Sequence, residues 1–347
     1  MTTYLRHLIL IAAFFAAFQL VADDNSTTAY NFLDVPVSSH VYALGRHNLT
    51  VIDDDISLVE QNPALLGPEF DHQIGLNYMK YIGETNFAGV RYGQGVSEHG
   101  AVAVGLQYFG YGNIQGAAID GTRTGTFSAS DIAFNVTYSL DISERLRGGI
   151  TVKYLYSKYE DYTAGAVAAD LGINYYNPDN EFSASLVAKN LGGQVKKFTD
   201  YKDNLPWDIQ LGVSKMLSMA PIRLHITAYD LTRWSSPYYK IADVNNPKSE
   251  LIEEESFGSN LLRHLAFGVD ILPTNNVYLA VGYNYRTRTD MATYKRDFLS
   301  GLSAGGGLKV RAFSFGVAVA RPHTGAMTVM VNLNSSIGEL LWITKIK

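Results

Sequence analysis

Chemistry in this chain would have to come from a small set of side chains. Imidazole is the usual group for proton transfer and metal binding near neutral pH, yet His99, His225, His264 and His323 are dispersed without ligand spacing. No serine has a lysine three residues on, and the GxSxG, HExxH and P-loop patterns are absent. In YGQGVSEHG (92–100), Glu98 stands where the third glycine of a phosphate-cradling loop belongs, so the stretch reads as a short turn. No enzyme activity, metal or cofactor is therefore expected. The charged residues suggest another use. Asp53, Asp54 and Asp55 can pair with Arg223, Lys153 or Lys189, or else form a solvated acidic turn. Asp170 and His225 belong to the same candidate network. EF-hand spacing is missing, which argues against calcium.

What must position such a network is visible in the alternation of later segments. In AVAVGLQYF (101–109), Val102, Val104, Leu106 and Tyr108 share one face, while Ala103, Gly105 and Gln107 share the other. WDIQLGVS (207–214), LAFGVDI (265–271) and VYLAVGYNYR (277–286) repeat the pattern. A period of two with one bulky apolar face is the mark of a half-buried strand. Fourteen such segments can be counted between residues 72 and 334. Most run about ten residues, the length a tilted strand needs to cross a bilayer. Their second face is rich in Gly, Ala, Ser and Asn, with Lys153, Asp170, Lys189, Asp208, Arg223, His225 and Asp270 interspersed. That suits a lumen better than the open surface of a soluble sandwich.

Alternate links are short, such as NPDN (177–180) and PTNN (273–276). The intervening ones, 111–127, 191–205, 233–261 and 287–301, are mostly long. Outer-membrane barrels show this rhythm, with short periplasmic turns and longer external loops. The expected fold is therefore all-β: a 14-stranded antiparallel transmembrane barrel. Composition agrees. The 347 residues carry a net charge of −5, no cysteine, 31 glycines and 23 tyrosines. No basic patch is dense enough for nucleic acid, and disulfides and thiolate zinc sites are unavailable. Residues 1–22, with LILIAAFFAAFQLVA after Arg6 and His7, read as a secretory signal peptide. Residues 71–335 form the barrel and 336–347 a short tail.

Residues 23–70 do not alternate. A fourteen-strand barrel is too wide for its own side chains to fill, so this segment reads as an N-terminal hatch within it. Asn62, Pro63, Ala64, Leu65 and Leu66 are its motif, Pro63 setting a bend and Ala64 permitting close approach to a wall. Together with YNFLDVPVSSHVYALG (30–45), DDDISLVEQNPALL (53–66), GTFSASDIAFN (125–135), AADLGINYYNP (168–178) and PWDIQLGVSK (206–215), the motif resembles the PorV/PorQ family of the type IX secretion system. Those barrels have a FadL-like fold. The resemblance implies a non-enzymatic role in the outer membrane. It would be the docking of a PorZ-like surface protein in an attachment complex with the sortase PorU and its barrel partner PorV, which joins cargo to anionic lipopolysaccharide.

The external segment 233–261 is the candidate partner-binding loop, with Trp234, Tyr238 and Tyr239 as aromatic anchors and LIEEES as an acidic patch. The other function to weigh is a FadL-like conduit for hydrophobic small molecules, for which the hatch would have to move.

Overall fold

The computed structural model describes residues 28–200, 202–234, 238–239, 252–253, 256–290, 299–323 and 326–340. The expected signal peptide, most of the candidate partner-binding loop and the end of the tail lie outside them. Fourteen strands form the wall. The first seven are β1 (Gln73–Lys80), β2 (Asn86–Ser97), β3 (Gly100–Ala117), β4 (Arg123–Ser143), β5 (Leu146–Tyr159), β6 (Tyr162–Asn177) and β7 (Phe182–Lys196). The rest are β8 (Asp208–Met216), β9 (Ile222–Ala228), β10 (Leu265–Thr274), β11 (Val277–Asn284), β12 (Leu302–Val310), β13 (Phe313–His323) and β14 (Ala326–Ser336). Each pairs antiparallel with its chain neighbours, and β1 closes on β14 with Leu76 opposite Leu333. A closed ring leaves no unpaired edge, which lipid would not tolerate.

The alternation does what its period requires. On β3, Val104, Leu106 and Tyr108 are exposed on the outside while Ala103 and Gln107 are buried within. On β8, Leu211 and Val213 point out, and Asp208, Gln210 and Ser214 point in. Along β4 the outward run Phe134, Val136, Tyr138, Leu140 is continuous and apolar. A one-residue slip anywhere would turn such a row inward, so the register is strongly held. No helix among the described residues is long and apolar enough to cross a membrane.

Four stretches differ from the sequence reading. The expected long link 111–127 is mostly strand, since β3 and β4 pair as far as Ala117 opposite Arg123. Its glycine- and threonine-rich residues hid a ribbon with neither face buried. β7 likewise continues to Lys196. Alternation expected from 262 and up to 286 gives way to short helices, α1 (Phe257–Arg263) and α2 (Tyr285–Asp290). Ser256 caps α1 by accepting from Ser259 N. Tyr238–Tyr239 pairs with Ile252–Glu253 as a separate two-residue ribbon.

Candidate functional site

Residues 28–71 lie against the inward faces of the strands, and most of them are buried. Their local structure is a series of short turns. One α-turn, Ser39–Ala43, is capped by Ser38, and four 3-10 turns flank it. Such a chain cannot satisfy its own backbone, so it borrows partners from the wall. Ser39 N donates to Asn332 Oδ1 at 2.8 Å, and Gly45 N to Ser303 Oγ at 3.0 Å. Ser303 Oγ in turn donates to Ala43 O, and Ser139 Oγ to Leu66 O.

Close approach is made possible by missing side chains on the wall. A Cβ on Gly282 would overlap Gly45 N, and one on Gly149 would overlap the Pro63 carbonyl. On Gly268 it would lie 2.8 Å from Leu44 Cδ2, and on Gly305 2.8 Å from Ala43 Cβ. Gly45 itself has φ +88, a backbone conformation that side chains rarely adopt. Of the small inward glycines expected from the sequence, Gly172, Gly212, Gly268 and Gly282 face the segment. Gly105 instead faces Asn135 and Arg91.

Asn62 is completely buried at the centre of the motif. Its Oδ1 accepts from Ala64 N at 2.9 Å, capping the turn Pro63–Leu65. Its Nδ2 donates to Leu49 O and to Ser185 Oγ on β7, both at 3.0 Å. One amide therefore joins the motif, a second stretch of the segment and the wall. Pro63 fits the first position of the turn, where no N–H is required.

Two ionic clusters grip the segment. In the first, Glu60 accepts from Arg91 on β2 and from Asn135 Nδ2 at 2.9 Å, and lies 3.2 Å from Lys153 Nζ. Lys153 also pairs with Asp170 at 2.6 Å across β5 and β6. Burial alone would raise the Glu60 pKa, but Lys153 and Arg91 hold it down at about 2. In the second cluster His40 sits between two carboxylates, with Nδ1 3.0 Å from Asp53 and Nε2 2.9 Å from Asp270 on β10. Tyr278 stacks on the imidazole with ring centres 3.8 Å apart. Asp270 also accepts from Arg223 at 2.7 Å and lies 2.9 Å from His225. Burial pulls the His40 pKa down, yet Asp270 and Asp53 outweigh it and raise it to about 9.

The expected network is thus divided. Lys153 and Asp170 belong to one cluster, Arg223 and His225 to the other. None of the aspartate triplet forms an ion pair with Lys153, Lys189 or Arg223. Asp53 bonds His40, Asp54 pairs with Lys309 at 2.5 Å, and Asp55 accepts from Ser38 Oγ and Ser57 N. The reason is local: Asp270 engages Arg223, and Asp55 caps the turn that follows it. Lys189 donates to Gln61 Oε1. Sequence reading missed His40, Glu60 and Arg91. Arg91 does carry a signal, since it falls on the inward parity of β2 between Val90 and Tyr92.

At the long-link end, Tyr30 and Phe32 join Phe87, Phe109, Tyr111 and Tyr159 in an aromatic cluster, with Phe32 and Phe109 centred 6.4 Å apart. At the short-turn end a cavity of about 470 Å³ is bordered by Asp53–Asp55, Arg223, Tyr278 and Lys309. Trp234 is not a free anchor. Its ring stacks on His264 at 4.6 Å, and His264 Nδ1 contacts Tyr229 O. The side chains of Tyr238 and Tyr239 lie outside the described residues.

No protein-family model and no curated protein matches the chain. Among solved structures it is similar to the toluene transporter TodX of Pseudomonas putida, at 12% identity and TM-score 0.53. That match covers 89% of this chain and 98% of TodX. It is also similar to the monoaromatic hydrocarbon channel CymD, at 9% identity and TM-score 0.52, over 89% of this chain and 99% of that one. At such identities the likeness speaks for architecture, and the architecture is that of the FadL-like outer-membrane barrels.

Proposed function

We propose that this chain is an outer-membrane barrel plugged by its N-terminal segment, and that it serves as a docking platform in the attachment complex of type IX secretion. The observation that carries the reading is the double ionic grip on the segment. At one pole it contributes the anion, Glu60, to wall cations; at the other it contributes the cation, His40, to a wall carboxylate. Removing one partner of a buried pair costs about 3–5 kcal/mol. Withdrawing the segment would strand both clusters, which suits a fixed brace better than a gate. The motif block that resembles the PorV/PorQ family includes Asn62, Glu60 and His40. The surface partner would be a PorZ-like protein held by the long links near Trp234, Tyr238 and Tyr239, beside PorU and PorV, with outer-membrane lipid around the wall.

A second reading, a conduit for hydrophobic small molecules, is the one the comparisons favour, because TodX and CymD are named for hydrocarbon transport. The aromatic cluster at the long-link end is its support within this chain. Mild-detergent affinity isolation from native membranes, followed by mass spectrometry, separates the two. Stoichiometric recovery of a large surface protein together with a sortase supports the platform. Bound apolar small molecules with no protein partner would replace it with the conduit.

A further inference from the structure

Along the outside of β5 the apolar surface ends in a definite order. Val152, Tyr154 and Tyr156 point outward, and Lys158 follows them one pleat later. The ladder places Lys158 opposite Thr163 on β6, and Gly165 opposite Lys196 on β7. Lys196 Nζ reaches back to Thr163 Oγ1 at 2.5 Å. Ser130 on β4 stands opposite Lys158 on its other side. Two ammonium groups and two hydroxyls therefore share one outward patch at the long-link end, directly beyond Tyr154 and Tyr156.

Two features make this more than a solvated rim. The Lys158 ammonium forms no ion pair or hydrogen bond among the described residues, and that of Lys196 bonds only a neutral hydroxyl. The acidic residues in the adjoining turn, Glu160 and Asp161, pair with neither lysine. Tyrosines mark the layer where hydrocarbon gives way to headgroups, so cations one pleat beyond them stand at the depth of lipid phosphate.

We propose that Lys158 and Lys196, with the Thr163 and Ser130 hydroxyls, bind the phosphate of a phosphorylated glycolipid in the outer leaflet. The reading rests on the outer-membrane placement proposed above. The tyrosine rings would lie along the first carbons of the acyl chains, the lysines would meet the phosphate charge, and the hydroxyls would donate to its oxygens. Lysine suits this task as a mobile point charge with three donors.

The test uses the folded full-length barrel in a non-ionic detergent, titrated with lipid A and followed by native mass spectrometry. Heat-modifiable migration reports folding, and flotation with vesicles reports membrane insertion. Lys158→Gln/Lys196→Gln should migrate and float as the parent does, yet hold lipid A on the order of tenfold or more weakly. Lys215→Gln, at the short-turn end, should bind as the parent does. Dephosphorylated lipid A should bind the parent no better than the double variant. Equal lipid A binding by parent and double variant would overturn the site. So would displacement of lipid A by millimolar inorganic phosphate, which would mean a simple anion site. A barrel that does not float would instead count against the outer-membrane reading itself.

Discussion

His40 of the N-terminal segment and Asp270 of β10 meet at 2.9 Å, at positions 230 residues apart in the chain. Because the other imidazole nitrogen faces Asp53, hydrogen bonds on both sides require both nitrogens to be protonated. The contact is therefore a charged one, made between the short helical turn Ser39–Ala43 of the segment and a strand of the wall.

Its pH dependence follows. Released from the wall, His40 would return to its ordinary value of 6.5, whereas docked it titrates at about 9. A raised value means that its stabilisation of the docked form is complete below about 6.5, declines above that, and is gone past about 9. Glu60 works in the opposite sense. Its value falls from 4.5 to about 2, so its contribution is complete above 4.5 and is lost as pH falls through about 2. Protease cleavage within residues 28–71 should increase on the alkaline side in the parent chain. In His40→Gln that alkaline rise should vanish while the acid limb stays.

Glu60→Ala should be the most destabilising single change in the segment. It leaves Arg91 and Lys153 buried, with Asp170 as the remaining carboxylate of that cluster. A loss of about 3–5 kcal/mol is expected. A lowered temperature of heat-modifiable migration or a shifted denaturant midpoint would measure it.

Asn62→Ala removes a cap and two buried donor bonds together. The loss should be roughly 1–3 kcal/mol, because the buried Ser185 hydroxyl still donates to the Leu49 carbonyl at 2.8 Å once Asn62 is gone. Segment cleavage should rise while the barrel itself keeps its migration.

Gly282→Val should expel the segment locally, because the new side chain would occupy the place of Gly45 N and the Leu44 carbonyl. Gly125→Val, on the β3–β4 ribbon where nothing lies within 4 Å, is the matched control and should change neither cleavage nor stability.

The wall was legible because lipid on one side and a polar interior on the other impose a period of two on every strand. VYLAVGYN shows this residue by residue, with Leu279 and Val281 outward and Ala280 and Gly282 inward. The β3–β4 ribbon was not legible, since both of its faces are exposed and no alternation is imposed. The contacts of residues 28–71 were not legible either. They depend on which inward side chains the closed ring brings near each turn, and no local pattern links His40 to Asp270 or Glu60 to Arg91. What was visible beforehand was the polar parity of Lys153, Asp170, Lys189, Asp208, Arg223, His225 and Asp270, without their partners.

The central claim is that the N-terminal segment lies inside the ring against β8, where a Cβ on Gly212 would stand 3.2 Å from Leu49 Cβ. The chain has no cysteine, so Leu49→Cys with Gly212→Cys introduces a single possible disulfide. That separation is a few tenths of an ångström under the usual ~3.5–4.5 Å, a gap small side-chain shifts can close. With a protease site inserted at residue 71, oxidised and cleaved protein should keep the segment attached to the barrel until reductant is added. Release of the segment without reductant would contradict the account.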